Sequence, residues 1–315
     1  MKNFCLIMFL SLLTSTGGEL CAAVRPAAVG WGNLIVPGLG STFREQPGRG
    51  AIEALLEIGI FYGATFGVSE GSFTIDSTVL LQPSARGRRT LLAPTIGLSL
   101  QQIGLKAHMF NTFYHYQQAT LAQESSITEI EKLQPLYRGT WTDVLAAPFE
   151  FKNLTEPWVF GSILLSGAGI FLDYSKTKVA RQRYRPTDFE QGLTAFNDIG
   201  LIPLGSAFGE EVLFRGMMQR EFHHYTGSLW AAILMQSIIF AALHPEENHI
   251  PAFLGGVYFG YLTHHYRGDL GAAIAVHFWI DVFSGLMDYF QFRVAHGGSA
   301  PYSPGLKFRL EFPLP

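Results

Sequence analysis

The sequence predicts an all-α protein, a polytopic bundle of membrane helices with a polar site between the helices and a short strand-like tail at its C-terminus. Of its 315 residues, 48% are hydrophobic and 15% are charged, and the mean hydropathy is +0.20. Soluble domains carry roughly 25% charged residues. Apolar runs long enough to cross a bilayer recur in the second half of the chain. We therefore expect an integral membrane protein.

The charge balance excludes one class of partner. The formal net charge is -3 at pH 7. Proteins that bind nucleic acid normally present a strongly basic face, because they must neutralise phosphates. We expect no nucleic-acid partner, and we expect membrane lipid to surround the helices.

Residues 1–23 have the pattern of a signal peptide. A basic start precedes an apolar core from Phe4 to Leu13, and small residues lead to a predicted cleavage site near Ala23. An uncleaved signal anchor is the alternative. Both cysteines, Cys5 and Cys21, lie within this segment. A cleaved chain would contain no thiol, which excludes catalysis by cysteine.

Residues 24–155 are predicted to form an N-terminal membrane-associated helical region, whose role the sequence does not define. The Gly- and Pro-broken stretch Gly30 to Leu39 favours a re-entrant or interfacial turn. Helices are expected over Arg49 to Val68 and Leu91 to Leu121. Trp141 to Leu154 mixes aromatic and charged residues, as a segment along the membrane surface does. Polar loops are expected between these elements.

Two pairs of titratable residues stand out in this N-terminal region. Glu53 and Glu57 are one turn apart, and we expect them near the aqueous end of their helix or facing a neighbouring helix. His108 and His115 belong to the aromatic, polar end of the longer helix, where an interfacial position is expected. Neither pair is predicted to be catalytic.

Residues 156–290 are predicted to form a second, compact unit, followed by a tail over residues 291–315. A clean apolar run from Pro157 to Leu172 precedes a basic run from Lys176 to Arg185, which the positive-inside rule places in the cytoplasm. Strict alternation over Leu306 to Phe312 predicts a strand in the tail. Four apolar segments follow the basic run: Leu193–Met218, Leu229–Leu243, Ile250–Tyr266 and Leu270–Phe290.

The first of these segments contains the charged residues Glu210, Glu211 and Arg215. On a helix, Glu211 and Arg215 are one turn apart on one face, whereas Glu210 is rotated away from them. A charge at the centre of a membrane costs about 2.5–3.5 kcal/mol on insertion scales, so such residues find partners and mark function. A structural pair that joins two helices is the alternative.

Two further polar motifs lie on later segments. Phe240 and His244 end the second segment, and His277 and Asp281 occupy the middle of the last one. Each buried polar group needs a partner, and the available partners are one another. We therefore expect the motifs to converge on one site between the helices.

Glu210, His244 and His277 suit two schemes of hydrolysis, and the sequence does not choose between them. In the first, Glu210 and His244 deprotonate a water, and His277 stabilises the oxyanion. In the second, the same three side chains bind Zn²⁺ with water in the open position. The spacing is not that of a His-Glu-x-x-His helix.

These motifs resemble the CPBP family, the CAAX-processing and bacteriocin-processing intramembrane proteases. The family pattern is Glu-Glu-x-x-x-Arg, then Phe-x-x-x-His, then His-x-x-x-Asn or Asp, and this chain follows it from about Gly192 to Leu286. The resemblance implies an intramembrane endopeptidase that cleaves a peptide or membrane protein near the membrane surface, in a bacterial inner membrane. The sequence does not define the substrate or the oligomeric state.

The resemblance also implies roles for single residues. Glu210 and His244 would activate water, His277 and Asp281 would shape the oxyanion or metal site, and Glu211, Arg215 and Phe240 would support them. Asp281 departs from the Asn of CAAX-type endopeptidases, and an ionised Asp donates no hydrogen bond. Two other functions stay open: a non-proteolytic scaffold or immunity-type protein with the same fold, and an ion pathway.

Overall fold

The computed structural model describes residues 24–69, 92–122, 135–174 and 187–295. Within these ranges all regular structure is helical and no strand occurs. The all-α prediction is therefore confirmed for the described residues. The predicted signal peptide, the basic run from Lys176 to Arg185, the strand of the tail and most of the two predicted polar loops lie outside them.

Four helices form the N-terminal part of the structure. They are α1 (Pro26–Ile35), α2 (Leu39–Phe43), α3 (Pro47–Ser69) and α4 (Leu92–Ala122). The helices α3 and α4 agree with the helices predicted from the sequence. The turn predicted over Gly30 to Leu39 is instead helical up to Ile35. The chain reverses at Gly38, where φ is +80°. A Cβ at Gly38 would collide with the backbone carbonyl of Gly50, so both φ and packing require glycine there.

A short helical segment follows, with α5 (Trp141–Ala146), a 3₁₀ turn (Ala147–Phe149) and α6 (Phe151–Leu154). Thr140 and Asp143 cap α5 reciprocally. The backbone N–H of Thr140 donates to Asp143, and this hydrogen bond holds the pKa of the exposed Asp143 carboxyl below its usual range. Trp279 Nε1 donates to the carbonyl of Pro148 at 2.9 Å. The segment is thereby attached to the last helix of the chain.

The C-terminal part begins with α7 (Pro157–Tyr174) and continues after the gap with a helical run broken by two π-helical stretches. This run comprises α8 (Asp188–Ala195), a π-helix (Phe196–Leu201), α9 (Ile202–Glu211), a second π-helix (Val212–Met218) and α10 (Gln219–Thr226). Gly227 ends it in the left-handed conformation, with φ +63°. π-Helical turns are frequent at functional sites. The second one directly follows Glu211 and contains Arg215.

Three helices complete the structure: α11 (Leu229–Ala242), α12 (His249–His265) and α13 (Gly271–Ala295). A 3₁₀ turn (Glu246–Asn248) joins α11 to α12. All three helices match apolar segments seen in the sequence. Because α13 continues to Ala295, residues 291–295 of the predicted tail are helical.

The helix α9 lies between α4 and α13 and packs against both. Phe113 of α4, Phe214 of the second π-helix and Ile274 of α13 are buried in one hydrophobic core around it. A second core lies between α7, α12 and α13 and includes Val159, Leu262 and Val276. Polar residues of α9 are therefore enclosed from both sides.

None of the helices in the four described ranges is both long enough and apolar enough to cross a membrane. The prediction of membrane-spanning helices is thus not supported over these residues. Large apolar side chains are nevertheless exposed on the outer faces of α7 and α11, such as Leu165 and Ile238.

Candidate active site

The two adjacent glutamates occupy the last turn of α9 and are buried. Successive residues of a helix differ by about 100° in direction, so the two side chains reach different partners. Glu211, which is 0% exposed, accepts a hydrogen bond from Arg215 Nη1 at 2.9 Å. Its Oε1 also lies 2.7 Å from His277 Nδ1. Glu211 therefore joins the start of the second π-helix to α13.

His277 is surrounded by three carboxyl groups. Its Nδ1 contacts Glu211, and its Nε2 lies 3.8 Å from Glu210 Oε2 and 3.5 Å from Asp281 Oδ2. Asp281 follows His277 by one turn of α13, which places both on one face. The structure thus brings two of the three sequence motifs into direct contact.

The third motif reaches the cluster through an aromatic ring. Phe240, near the end of α11, lies 4.5 Å from the His244 ring and 6.1 Å from the His277 ring, centroid to centroid. His244 Nδ1 is 2.7 Å from the Phe240 carbonyl oxygen, which can only accept, so Nδ1 carries the proton. Within the described residues, no hydrogen bond or ion pair joins His244 to Glu210.

Aromatic rings hold the charged groups in place. The Arg215 guanidinium is fully buried and lies 4.4 Å from the centroid of Phe240 and 5.2 Å from that of Phe259. Phe259, on α12, also stacks on the His277 ring at 5.1 Å. Such cation–π contacts stabilise a buried cation. Phe259 was not predicted as a site residue, because an aromatic residue in an apolar helix gives no functional signal.

A lysine missed by the sequence reasoning completes the cluster. Lys106, in the middle of α4, donates from Nζ to Glu210 Oε1, and it is only 9% exposed. A lone lysine inside a long, largely apolar helix needs a carboxylate partner, and this signal could have found it. Its partner is 104 positions away in sequence. Spacing alone could not have identified that partner.

The Zn²⁺ scheme, which the sequence left open beside a metal-free one, is not supported by the described part of the structure. Within the described ranges, no group of three His, Cys, Asp or Glu side chains is placed to hold a metal ion. Glu210 Oε1 is occupied by the Lys106 ammonium, and among the described residues no hydrogen bond or ion pair joins His244 to Glu210. The ligand set of Glu210, His244 and His277 is therefore not assembled.

The N-terminal glutamates and histidines form a separate polar network. Glu53 Oε2 lies 3.2 Å from His115 Nε2, and Glu57 Oε2 lies 2.5 Å from His108 Nδ1, so both glutamates face the neighbouring helix α4. His115 is 0% exposed, so its ring is enclosed by the protein. The sequence reasoning overlooked that these histidines pair with the glutamates.

One protein family is similar to a segment of this chain. The family model for the type II CAAX prenyl endopeptidase Rce1-like proteins matches residues 193–283. This segment contains all three motifs, from Glu210 to Asp281. Residues 193–283 are thus similar to the type II CAAX prenyl endopeptidase family. Lys106 lies outside the matched segment.

One curated relative comes from Escherichia coli and carries the name "Uncharacterized 24.3 kDa protein". It is 28% identical to this chain over 120 residues, which cover 35% of this chain and 52% of the relative. The chain thus spans about half the length of the curated relative it matches. No solved structure matches the chain at a significant level.

Proposed function

We propose that the protein is an intramembrane endopeptidase that hydrolyses a peptide bond near the membrane surface. One observation carries the proposal. Glu210 Oε2 is buried and has no hydrogen-bond partner among the described residues, and it lies 3.8 Å from His277 Nε2. A buried carboxylate oxygen without a partner is costly, by about 1–3 kcal/mol or more. A water or a substrate group in this position would supply the missing hydrogen bond.

In this mechanism Glu210 is the general base. Lys106 holds Oε1, so Oε2 is the oxygen that takes a proton from water as the water oxygen attacks the peptide carbonyl carbon. The tetrahedral intermediate collapses when the C–N bond breaks, and the proton passes from Glu210 to the leaving amine. Water is consumed, and one carboxylic acid and one amine are formed.

The two histidines have different parts in the mechanism. Glu211 holds His277 at Nδ1 and directs Nε2 toward Glu210, where a protonated Nε2 donates to the developing oxyanion. Asp281 Oδ2 lies 3.5 Å from the same Nε2, and its negative charge would stabilise the protonated ring. His244 is protonated at Nδ1, so the neutral ring presents a basic Nε2 that assists Glu210.

The membrane is part of the proposal. Large apolar side chains on α7 and α11, including Leu165 and Ile238, are exposed and would contact lipid or an apolar substrate segment. The proposed substrate is a peptide or a membrane protein, and the proposed location is a bacterial inner membrane. The similarity of residues 193–283 to the type II CAAX prenyl endopeptidase family supports a protease in a membrane.

The test compares peptide products. Membranes from cells that produce wild-type protein or Glu210→Ala should differ in specific peptides identified by mass spectrometry, and the wild-type products should be absent with Glu210→Ala. Glu57→Gln is the matched control, because it changes a partly buried, His-paired glutamate outside the site. Equal products from wild type and Glu210→Ala would refute the proposal.

Activity that persists in EDTA supports the metal-free scheme, whereas EDTA-sensitive activity restored by Zn²⁺ contradicts it.

A second candidate is a non-proteolytic scaffold or immunity-type protein. It is favoured by the ion pairs of Lys106 with Glu210 and of Arg215 with Glu211, which neutralise the charges. The Lys106 pair also links two separate helices. In this case Glu210→Gln would retain the cellular role of the protein, because the amide can still accept a hydrogen bond from Lys106. Loss of that role with Glu210→Gln would favour the protease.

A further inference from the structure

We propose that Lys106 is a positioning residue of the active site, which holds Glu210 so that one carboxylate oxygen faces His277 and the reacting water. The inference rests on the proposed endopeptidase function. Lys106 belongs to α4 and lies N-terminal to residues 193–283, the segment that matches the family model. The active site would then be incomplete without the N-terminal region.

The contact itself is direct and buried. Lys106 Nζ donates to Glu210 Oε1, and the two side chains are 10% and 11% exposed. A buried ion pair with good geometry keeps both groups in one orientation, because releasing either would leave a buried charge without a partner. Holding Oε1 therefore also fixes the direction of Oε2.

The surface of α9 is shaped to receive this lysine. Gly205 and Gly209 are one turn apart and face α4. A Cβ on Gly209 would lie 3.1 Å from the Lys106 Cα, and a Cβ on Gly205 would lie 3.0 Å from its Cγ. Both distances are tighter than ordinary contacts, so the two glycines allow α4 to approach and the lysine stem to pass. A chance surface contact would not need this accommodation.

Lys106 neutralises one of the negative charges around His277. Three carboxyl groups, on Glu210, Glu211 and Asp281, surround one imidazole. Arg215 pairs with Glu211, and Lys106 pairs with Glu210. Lys106 thus balances the charge of the proposed base while leaving its second oxygen available.

Removal of the ammonium should change the geometry of the base. Without Lys106, the Glu210 carboxylate can rotate toward His277 and close the 3.8 Å separation that a water must bridge. Misplacing a reacting group by about 1 Å can cost on the order of 10²-fold in rate. We therefore expect the chemical step, rather than substrate binding, to suffer.

The test uses the purified full chain in detergent and the fastest-cleaved peptide from a randomised quenched-fluorescent peptide library. Lys106→Met, which keeps the length of the side chain but not its charge, should lower kcat by about 10- to 100-fold with KM unchanged. Lys106→Arg should recover most of kcat, because a guanidinium can also bind the carboxylate. His108→Gln, on the same helix but outside the site, is the matched control and should keep the wild-type kcat.

The outcomes separate this inference from the proposed function. If Glu210→Ala is inactive and Lys106→Met has the wild-type kcat, the role of Lys106 is refuted and the protease remains. If Lys106→Met and Lys106→Arg lose kcat equally, or if His108→Gln loses as much, a general structural role replaces the positioning role. If wild type and Glu210→Ala cleave every peptide at the same rate, the proposed function is refuted. The role of Lys106 is then refuted as well, because it depends on that function.

Discussion

Two parts of this molecule each pair glutamates with histidines across helices, and they differ in how completely the carboxylates are hydrogen-bonded. Between α3 and α4, Glu53 accepts from Arg49 and Ser41, both at 2.7 Å, and Glu57 accepts from Asn111 at 3.0 Å besides its contact with His108. Both oxygens of each glutamate are thus occupied. Between α9 and α13, the Oε2 atoms of Glu210 and Glu211 have no hydrogen-bond partner among the described residues.

This difference distinguishes a structural network from a candidate active site. A fully satisfied polar network fixes the packing of two helices and offers nothing to a reactant. A cluster with an unsatisfied, directed oxygen has the capacity to bind a water or a substrate group. Residue types alone do not distinguish the two regions, because both consist of Glu, His and Arg.

The largest expected effect is a loss of activity on substitution in the candidate active site but not in the α3–α4 network. Glu210→Gln removes the proposed base and should lower kcat by about 10²–10⁴-fold, whereas Glu57→Gln should leave kcat unchanged. Both substitutions replace a carboxylate, with side chains 11% and 14% exposed, by an amide of the same shape. Cleavage of the reporter peptide by the two purified variants is the measurement. Equal losses in both variants would remove the functional distinction.

The second effect compares stability. Arg215 pairs with a glutamate one turn earlier and Arg49 with a glutamate one turn later, but the Arg215 side chain is 0% exposed and that of Arg49 is 48% exposed. Arg215→Met leaves Glu211 buried with an uncompensated charge and should cost about 3–5 kcal/mol. Arg49→Met should cost about 0–1 kcal/mol. Denaturant unfolding in detergent gives both values, and similar losses would contradict the comparison.

The smallest expected effect lies at the edge of the site. Asp281→Asn should keep kcat within about tenfold of wild type, because the amide keeps the shape of a side chain whose charge acts on His277 from 3.5 Å. Steady-state kinetics on the reporter peptide measure this. A loss as large as that of Glu210→Gln would assign Asp281 a part in the proton transfer itself.

Much of the fold and part of the site could be predicted from the sequence. Apolar length and periodicity located α3, α4 and the last three helices, because these signals depend on neighbouring residues alone. One-turn spacing also identified the pairing of Glu211 with Arg215. The predicted metal site was not assembled, because a ligand set depends on distances between helices that spacing along the chain does not contain.

The sequence by itself determined the helices, the three motifs and the class of protein they resemble. Only the tertiary structure decided that Glu211 holds both Arg215 and His277, and that Lys106 occupies one oxygen of Glu210. The physical reason is that a helix turn sets which residues share a face, whereas the packing of α4 and α13 against α9 sets which faces meet. The different roles of Glu210 and Glu211 thus depend on partners from α4 and α13.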